Sequence, residues 1–132
     1  MRLALSFFIY ILASWSNHAA STPLDLGSLS RVDGHELGQY LDVWDNRGEP
    51  ADPAAVFAGS LDHFFKTSSQ RFPSAGFTEG EFWARIVIMQ RESGAGDLLL
   101  ESRYVLIDEL TLYQQTGTGD FSALSIGDNT SK

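Results

Sequence analysis

The stretch that decides the fold is F-W-A-R-I-V-I-M, at residues 82–89. In an extended chain its side chains alternate between two faces. One face carries Phe82, Ala84, Ile86 and Ile88, and the other carries Trp83, Arg85, Val87 and Met89. Both faces are largely apolar, so the pattern predicts a strand that is buried on both sides at the centre of a sheet.

Shorter strand patterns surround this segment. They lie at 37–44, 98–100, 103–113 and 121–126, and the segments 45–48, 90–97 and 117–120 between them have turn chemistry. Asp52 followed by Pro53 predicts the start of one short helix, because aspartate caps well and proline fits the first helical position. Short strands, glycine-rich turns and the lack of a long amphipathic pattern predict an all-β fold, a β-sandwich or jelly roll.

The N-terminus has the three-part layout of a secretory signal. Arg2 supplies a positive charge, residues 3–13 are almost wholly apolar, and small residues follow up to Ala19-Ala20-Ser21. We therefore predict a signal peptide at 1–20, a polar leader at 21–34 and one β-sandwich domain at 35–132. The alternative is an uncleaved N-terminal anchor. The apolar run is shorter than the roughly 20 residues of a stable membrane span.

The net charge indicates which partners to expect, and the lack of cysteine indicates what must stabilise the fold. The chain has 9 basic and 17 acidic residues, a net charge of −8 at pH 7, and no cysteine. Binding to nucleic acid or to anionic lipid needs clustered lysine and arginine, so neither partner is expected. An exported domain of this size without disulfides must depend on its core.

Several short motifs follow one another in an order that can be compared with a known family. They are L-G-Q-Y-L at 37–41, D-P at 52–53, G-F at 76–77, F-W-A-R at 82–85, L-L-L-E at 98–101, I-D-E-L-T-L-Y at 107–113 and G-D at 127–128. Together they resemble the 7TMR-DISM extracellular domain type 2. Domains of this family precede seven transmembrane helices in bacterial signalling receptors.

The resemblance implies a jelly-roll fold similar to carbohydrate-binding modules, here incomplete at its C-terminus. It implies a periplasmic sensor domain that binds a small polar molecule or a carbohydrate, in a truncated receptor that lacks its transmembrane and output parts. On this reading the chain is not an enzyme, has no cofactor, and meets the membrane only through downstream helices. A homodimer is a further expectation.

Four residues are predicted to contact the ligand: Trp83, Arg85, Tyr104 and Asp108. Aromatic rings can stack on sugars, and buried charges are often functional. Each has a structural alternative. Trp83 fits the core, and Arg85 and Asp108 fit an ion pair between neighbouring strands, because a charge on an apolar strand face is costly unless it is paired.

Other functions have less support from the sequence. His18, His35 and His63 lack metal-ligand spacing, so no metal site is expected. No nucleophile elbow or phosphate-binding loop is present, although a small secreted hydrolase remains an alternative. A stand-alone secreted β-sandwich that binds a protein or polysaccharide is a second alternative, and a degraded reading frame without function is a third.

Overall fold

The structure is a computed structural model that describes residues 4–11 (backbone only), 22–29, 36–71, 73, 74, 76, 79–90, 99–101, 108–115 and 119–127. Its strands are β1 (Ala4–Ile11), β2 (Leu24–Asp25), β3 (Asp42–Asn46), β4 (Lys66–Thr67), β5 (Glu81–Met89), β6 (Glu109–Gln115) and β7 (Phe121–Gly127). One short helix, α1 (Pro53–Phe57), and three single-turn 3₁₀ helices, Leu26–Ser28, Gly38–Tyr40 and Asp62–Phe64, complete the described elements. The prediction of an all-β fold is confirmed.

All seven strands belong to one mixed sheet, in the order β4-β3-β5-β1-β6-β7, with β2 also paired to β5. β3 runs antiparallel to the first half of β5. β2 runs parallel to the end of β5, where Leu24 is opposite Ile88. β6 and β7 form an antiparallel pair from Glu109 opposite Gly127 to Gln115 opposite Phe121. The central position predicted for 82–89 is therefore correct.

β1 is the segment that the sequence predicts to be the apolar part of a signal peptide. In the chain of 132 residues it lies between β5 and β6 and runs parallel to both. It is the strand that connects the β3–β5 half of the sheet to the β6–β7 half through backbone hydrogen bonds.

Each face of β5 is covered by its own apolar cluster. On one face, Leu24, Leu41, Phe82, Ala84, Ile86 and Ile88 are buried together. On the other, Val56 of α1 and Phe65 pack on Trp83. The two clusters explain why β5 is apolar on both sides, as its sequence indicates.

Leu24 changes the interpretation of the leader. This residue is only 3% exposed and belongs to the first apolar cluster, and Leu26 and Leu29 pack against that cluster. Residues 22–29 are therefore part of the folded domain. The sequence analysis missed this because the serines, Pro23 and Gly27 around the three leucines have the composition of a mobile segment.

Two strand predictions need correction. The strand predicted at 37–44 begins only at Asp42, because Gly38–Tyr40 forms a 3₁₀ turn. No strand is present at Leu99 and Leu100, the described part of the return strand predicted at 98–100, and Leu99 is 93% exposed. Most of the predicted loop at 90–97 and the first part of the strand predicted at 103–113 lie outside the described residues, and β6 continues to Gln115.

The predicted helix start at Asp52 and Pro53 is confirmed, since the Asp52 carboxylate accepts a hydrogen bond from the Ala54 N–H.

Gly38 permits a close approach of two chain segments. A Cβ atom at this position would overlap the carbonyl oxygens of Gln70 and Arg71. Both obstacles are backbone atoms, so they cannot move aside as the end of a flexible side chain can. The segment 68–71 consequently lies directly against the 3₁₀ turn that begins at Gly38.

We expect Gly38→Ala to lower the free energy of unfolding by about 1–3 kcal/mol, the usual cost of overpacking. The measurement is urea denaturation followed by tryptophan fluorescence. Gly48→Ala is the matched control, because the nearest atom to a Cβ there, the Asn46 Oδ1, is 3.5 Å away. Equal stability of the two variants would contradict the close approach.

Candidate functional site

An open groove lies on the first face of the sheet, beside β3 and β5. Its volume is about 250 Å³ and it is lined by Val43, Thr67, Ser68, Ser69, Gln70, Pro73, Ser74 and Phe82. The apolar contributions of Val43 and Phe82 come from the sheet, and the polar side chains come from the segment 67–74, of which residues 67–71, 73 and 74 are described. We call this segment the serine segment. The groove is smaller than the roughly 300–1,000 Å³ of most small-molecule sites, so its size limits it to a small ligand.

The serine segment is held in place by hydrogen bonds and one ion pair, both within itself and to other parts of the chain. The Ser68 N–H donates to the Leu41 carbonyl oxygen over 2.8 Å, which attaches the segment to the end of the Gly38 turn. The Ser68 hydroxyl accepts from the Gln70 N–H over 3.1 Å, and the Arg71 guanidinium forms an exposed ion pair with Glu36. These contacts fix the backbone around the exposed side chains of Ser69 and Gln70.

Behind the groove, a buried ion-pair cluster joins three parts of the chain. Arg85 Nη2 lies 3.4 Å from Asp42 Oδ2, and Arg85 Nη1 lies 2.5 Å from Asp62 Oδ1. The Arg85 and Asp42 side chains are only 7% and 2% exposed. The guanidinium carbon also lies 4.2 Å from the centroid of the Phe65 ring, a cation–π contact. The cluster therefore fixes β3, β5 and the turn that begins at Asp62 against one another.

Thr67 connects the cluster to the groove. Its hydroxyl donates to Asp42 Oδ1 over 2.9 Å, and the same residue lines the groove. The register agrees with this contact, since Asp42 is opposite both Thr67 and Arg85. Within the described part of the chain, the buried Arg85 Nε has no hydrogen-bond partner.

A second polar cluster surrounds Glu81 at the start of β5. One of its oxygens, Oε2, accepts hydrogen bonds from the Trp83 indole N–H (2.9 Å), the Ala51 N–H (2.9 Å) and the Asn46 amide (3.3 Å). Three donors on one oxygen compensate for the partial burial of the carboxylate. Glu81 thereby orients Trp83 and closes the turn between β3 and α1.

Tyr113 of β6 lies close to this cluster. Its ring is stacked on Trp83 with a centroid distance of 5.7 Å. Burial raises the pKa of the Tyr113 hydroxyl above its ordinary value, and the negative charges of Glu81 and Glu109 raise this pKa further. The hydroxyl is therefore neutral at physiological pH.

The four predicted ligand residues occupy different environments. Trp83 is 1% exposed, and its ring packs on Tyr113 in the second apolar cluster. Arg85 is buried, Asp108 is partly exposed just before β6, and Tyr104 lies outside the described residues. The structure therefore supports the core alternative for Trp83. The ligand contacts of the other three stay predictions.

The ion pair predicted between Arg85 and Asp108 is wrong. β1 separates the two strands, and the registers place Arg85 level with Tyr113, five residues beyond Asp108. At roughly 3.3 Å per residue the two positions are about 16 Å apart along the strands alone. Arg85 is paired, as a buried charge must be, but with Asp42 and Asp62. The sequence shows Asp42 as a charge between the apolar residues Leu41 and Val43. It does not show that Arg85 is the partner of this charge.

The sequence analysis missed the groove itself. Its signal in the sequence is the polar run T-S-S-Q at 67–70, which is typical of any surface loop.

Among the described residues, no group of three or more histidines and carboxylates could hold a metal ion. The expectation of no metal and no cofactor stays a prediction.

A double-mutant cycle on unfolding free energy tests the ion-pair cluster. We expect Arg85→Gln to cost about 3–5 kcal/mol, because it leaves buried carboxylates without their cation. The losses from Arg85→Gln and Asp42→Asn should be non-additive by about 0.5–3 kcal/mol. The control cycle of Arg85→Gln with Asp108→Asn should be additive within about 0.5 kcal/mol. Coupling to Asp108 but not to Asp42 would contradict this arrangement.

Comparison with known proteins identifies the family. The family model of the 7TMR-DISM extracellular 2 domain matches residues 38–132, which include the groove, the Arg85 cluster and the Glu81 cluster. No curated protein and no solved structure gives a match. Among the described residues, no helix is long and apolar enough to span a bilayer. The match covers most of the chain, and the protein therefore belongs to the 7TMR-DISM extracellular 2 family, the extracellular sensor domains of receptors.

Proposed function

We propose that this domain senses a small polar ligand, of the carbohydrate class, which binds in the groove between the serine segment and the sheet. The family match over residues 38–132 carries the proposal, because it makes the chain a receptor sensor domain rather than a member of a known enzyme family. In the groove, polar side chains of the serine segment lie beside an apolar floor formed by Val43 and Phe82.

The chemistry of the groove suits a neutral polyol. Hydroxyl groups and the Gln70 amide can both donate and accept hydrogen bonds, as sugar hydroxyls do. Val43 and Phe82 offer apolar contact for the C–H face of a sugar ring. The described residues that line the groove include no lysine, arginine, aspartate or glutamate, so they offer no charge with which to select an ion.

The contacts of the groove also supply a route for a signal. A ligand that shifts the serine segment acts on Thr67, and through its hydroxyl on Asp42 and the Arg85 cluster. Binding then favours one arrangement of the cluster over another, which is how a ligand shifts a conformational equilibrium. In this proposal Arg85 acts behind the groove. Asp108 is not among the residues that line the groove and Tyr104 lies outside the described residues, so the proposed site includes neither of them.

The proposed location is the periplasm, reached through a signal peptide at 1–20. The processed domain would lack β1, which lies between β5 and β6 in the full chain. Side-chain packing also links the two halves of the sheet without β1, because Tyr113 stacks on Trp83 and Phe57 stacks on Phe121 with centroids 4.9 Å apart. These ring pairs would hold β6 and β7 against the rest of the domain after cleavage.

Ligand binding is tested with a panel of neutral mono- and disaccharides, first by thermal shift and then by calorimetry. We expect Ser69→Trp to fill the groove and to weaken binding of the best sugar at least about tenfold, or about 1.4 kcal/mol. Ser60→Trp is the matched control, since Ser60 is exposed in the turn after α1 and does not line the groove. It should bind like the unaltered chain.

Two results would contradict the proposal in different ways. If no sugar in the panel raises the melting temperature, the carbohydrate class is wrong. If a sugar binds equally to the unaltered chain and to Ser69→Trp, the ligand site is not the groove.

Export is tested by expression of the full chain in a Gram-negative bacterium. We expect mass spectrometry to find, in the periplasmic fraction, a chain that begins after Ala19 or Ala20. Ile9→Arg should block export, because it places a charge in the apolar run, and Ser60→Arg should not. A periplasmic chain that retains residues 1–20 would support the uncleaved anchor instead.

A further inference from the structure

The two edges of the sheet are built differently. β4 has only two residues, one of which is the exposed Lys66, and a short charged edge discourages pairing with another chain. β7 has seven residues, F-S-A-L-S-I-G, without a charge or a proline. Its residues from Phe121 to Ile126 are all exposed. Among the described strands β7 pairs only with β6, and from Phe121 to Ile126 it has neither the charge nor the proline that protects sheet edges.

An aliphatic patch continues up to this edge. Leu110 is opposite Ile126 and Leu112 is opposite Leu124, so the four side chains lie on one face of the β6–β7 pair. Leu124 is 59% exposed and Ile126 is 60% exposed. On the opposite face, the Phe121 ring packs on Phe57 and Tyr113. Adjacent exposed aliphatic side chains on one face are typical of an interaction site.

We propose that β7 pairs with β7 of a second copy of this chain, in an antiparallel, two-fold symmetric contact. The chain has a net charge of −8, but β7 has no charged residue, so two copies can meet there without bringing carboxylates together. A basic partner would find no carboxylate within β7. An anionic membrane would be repelled by the same net charge. A second copy offers the same uncharged edge and the same aliphatic patch, as a two-fold contact requires.

The strand pattern favours one register. With the two-fold axis at Leu124, this residue is opposite Leu124 of the other copy, and Ser122 is opposite Ile126. All of these positions lie on the face of the aliphatic patch, because residues of equal parity share a face. The two patches then join into one apolar surface across a continuous sheet. The contact uses the β7 edge of both copies, so no third copy can add there.

The mass of the full chain in solution tests this proposal, by size exclusion with light scattering over a range of concentrations. We expect a dimer that dissociates on dilution. Leu124→Lys should give a monomer at every concentration, because it brings two positive charges together at the axis, and Ser60→Lys should leave the dimer unchanged. A monomeric unaltered chain, or growth into larger oligomers, would overturn the proposal.

The lack of native cysteine allows a second measurement. We expect Leu124→Cys to form a disulfide-linked dimer under mild oxidation, because the two sulfurs face each other at the axis. Ser60→Cys, in the exposed turn after α1, should stay mostly monomeric. Equal crosslinking of the two variants, or none with Leu124→Cys, would show that β7 is not the contact. Circular dichroism identifies any variant that fails to fold.

Discussion

The burial of Arg85 in the middle of β5 is the constraint on which the rest of the structure depends. A strand covered on both faces has no route to water for a charged side chain, so the guanidinium must find its counter-charges inside the domain. It finds Asp42 on β3 and Asp62 in the 3₁₀ turn before β4. These contacts join β3 to β5 and hold the 3₁₀ turn over the second face.

The consequences extend to the groove. Asp42 shares its carboxylate between Arg85 and the hydroxyl of Thr67, so the first residues of the serine segment are fixed by the same charge that the core must neutralise. Buried ion pairs add little net stability compared with apolar packing, but they allow few alternative arrangements. A site built beside such a pair is held in a defined geometry. This fits a sensor, whose ligand must change a defined arrangement rather than a mobile loop.

The two halves of the sheet are joined in two different ways. Backbone pairing runs through β1, whereas ring stacking runs through Trp83 with Tyr113 and Phe57 with Phe121. The second connection uses residues within the range that the family model matches, and the first does not. Glu81 strengthens the second connection, because it holds the Trp83 indole in place. The β6–β7 half also carries the aliphatic patch, so the same ring pairs attach the patch to the core.

The sequence by itself determined the central strand, the all-β class, the short helix after Asp52 and the family. Each depends on local information: two-residue alternation at 82–89, the capping chemistry of Asp52 and Pro53, and the order of short motifs. Tertiary structure alone decided that Arg85 pairs with Asp42 and Asp62, that Leu24 is part of the core, that Trp83 is covered by Tyr113, and that residues 67–74 form a groove. These features join residues that are distant in the chain. One strand pattern specifies which face a side chain occupies, whereas the neighbouring strand and its register are set by the packing of the whole domain.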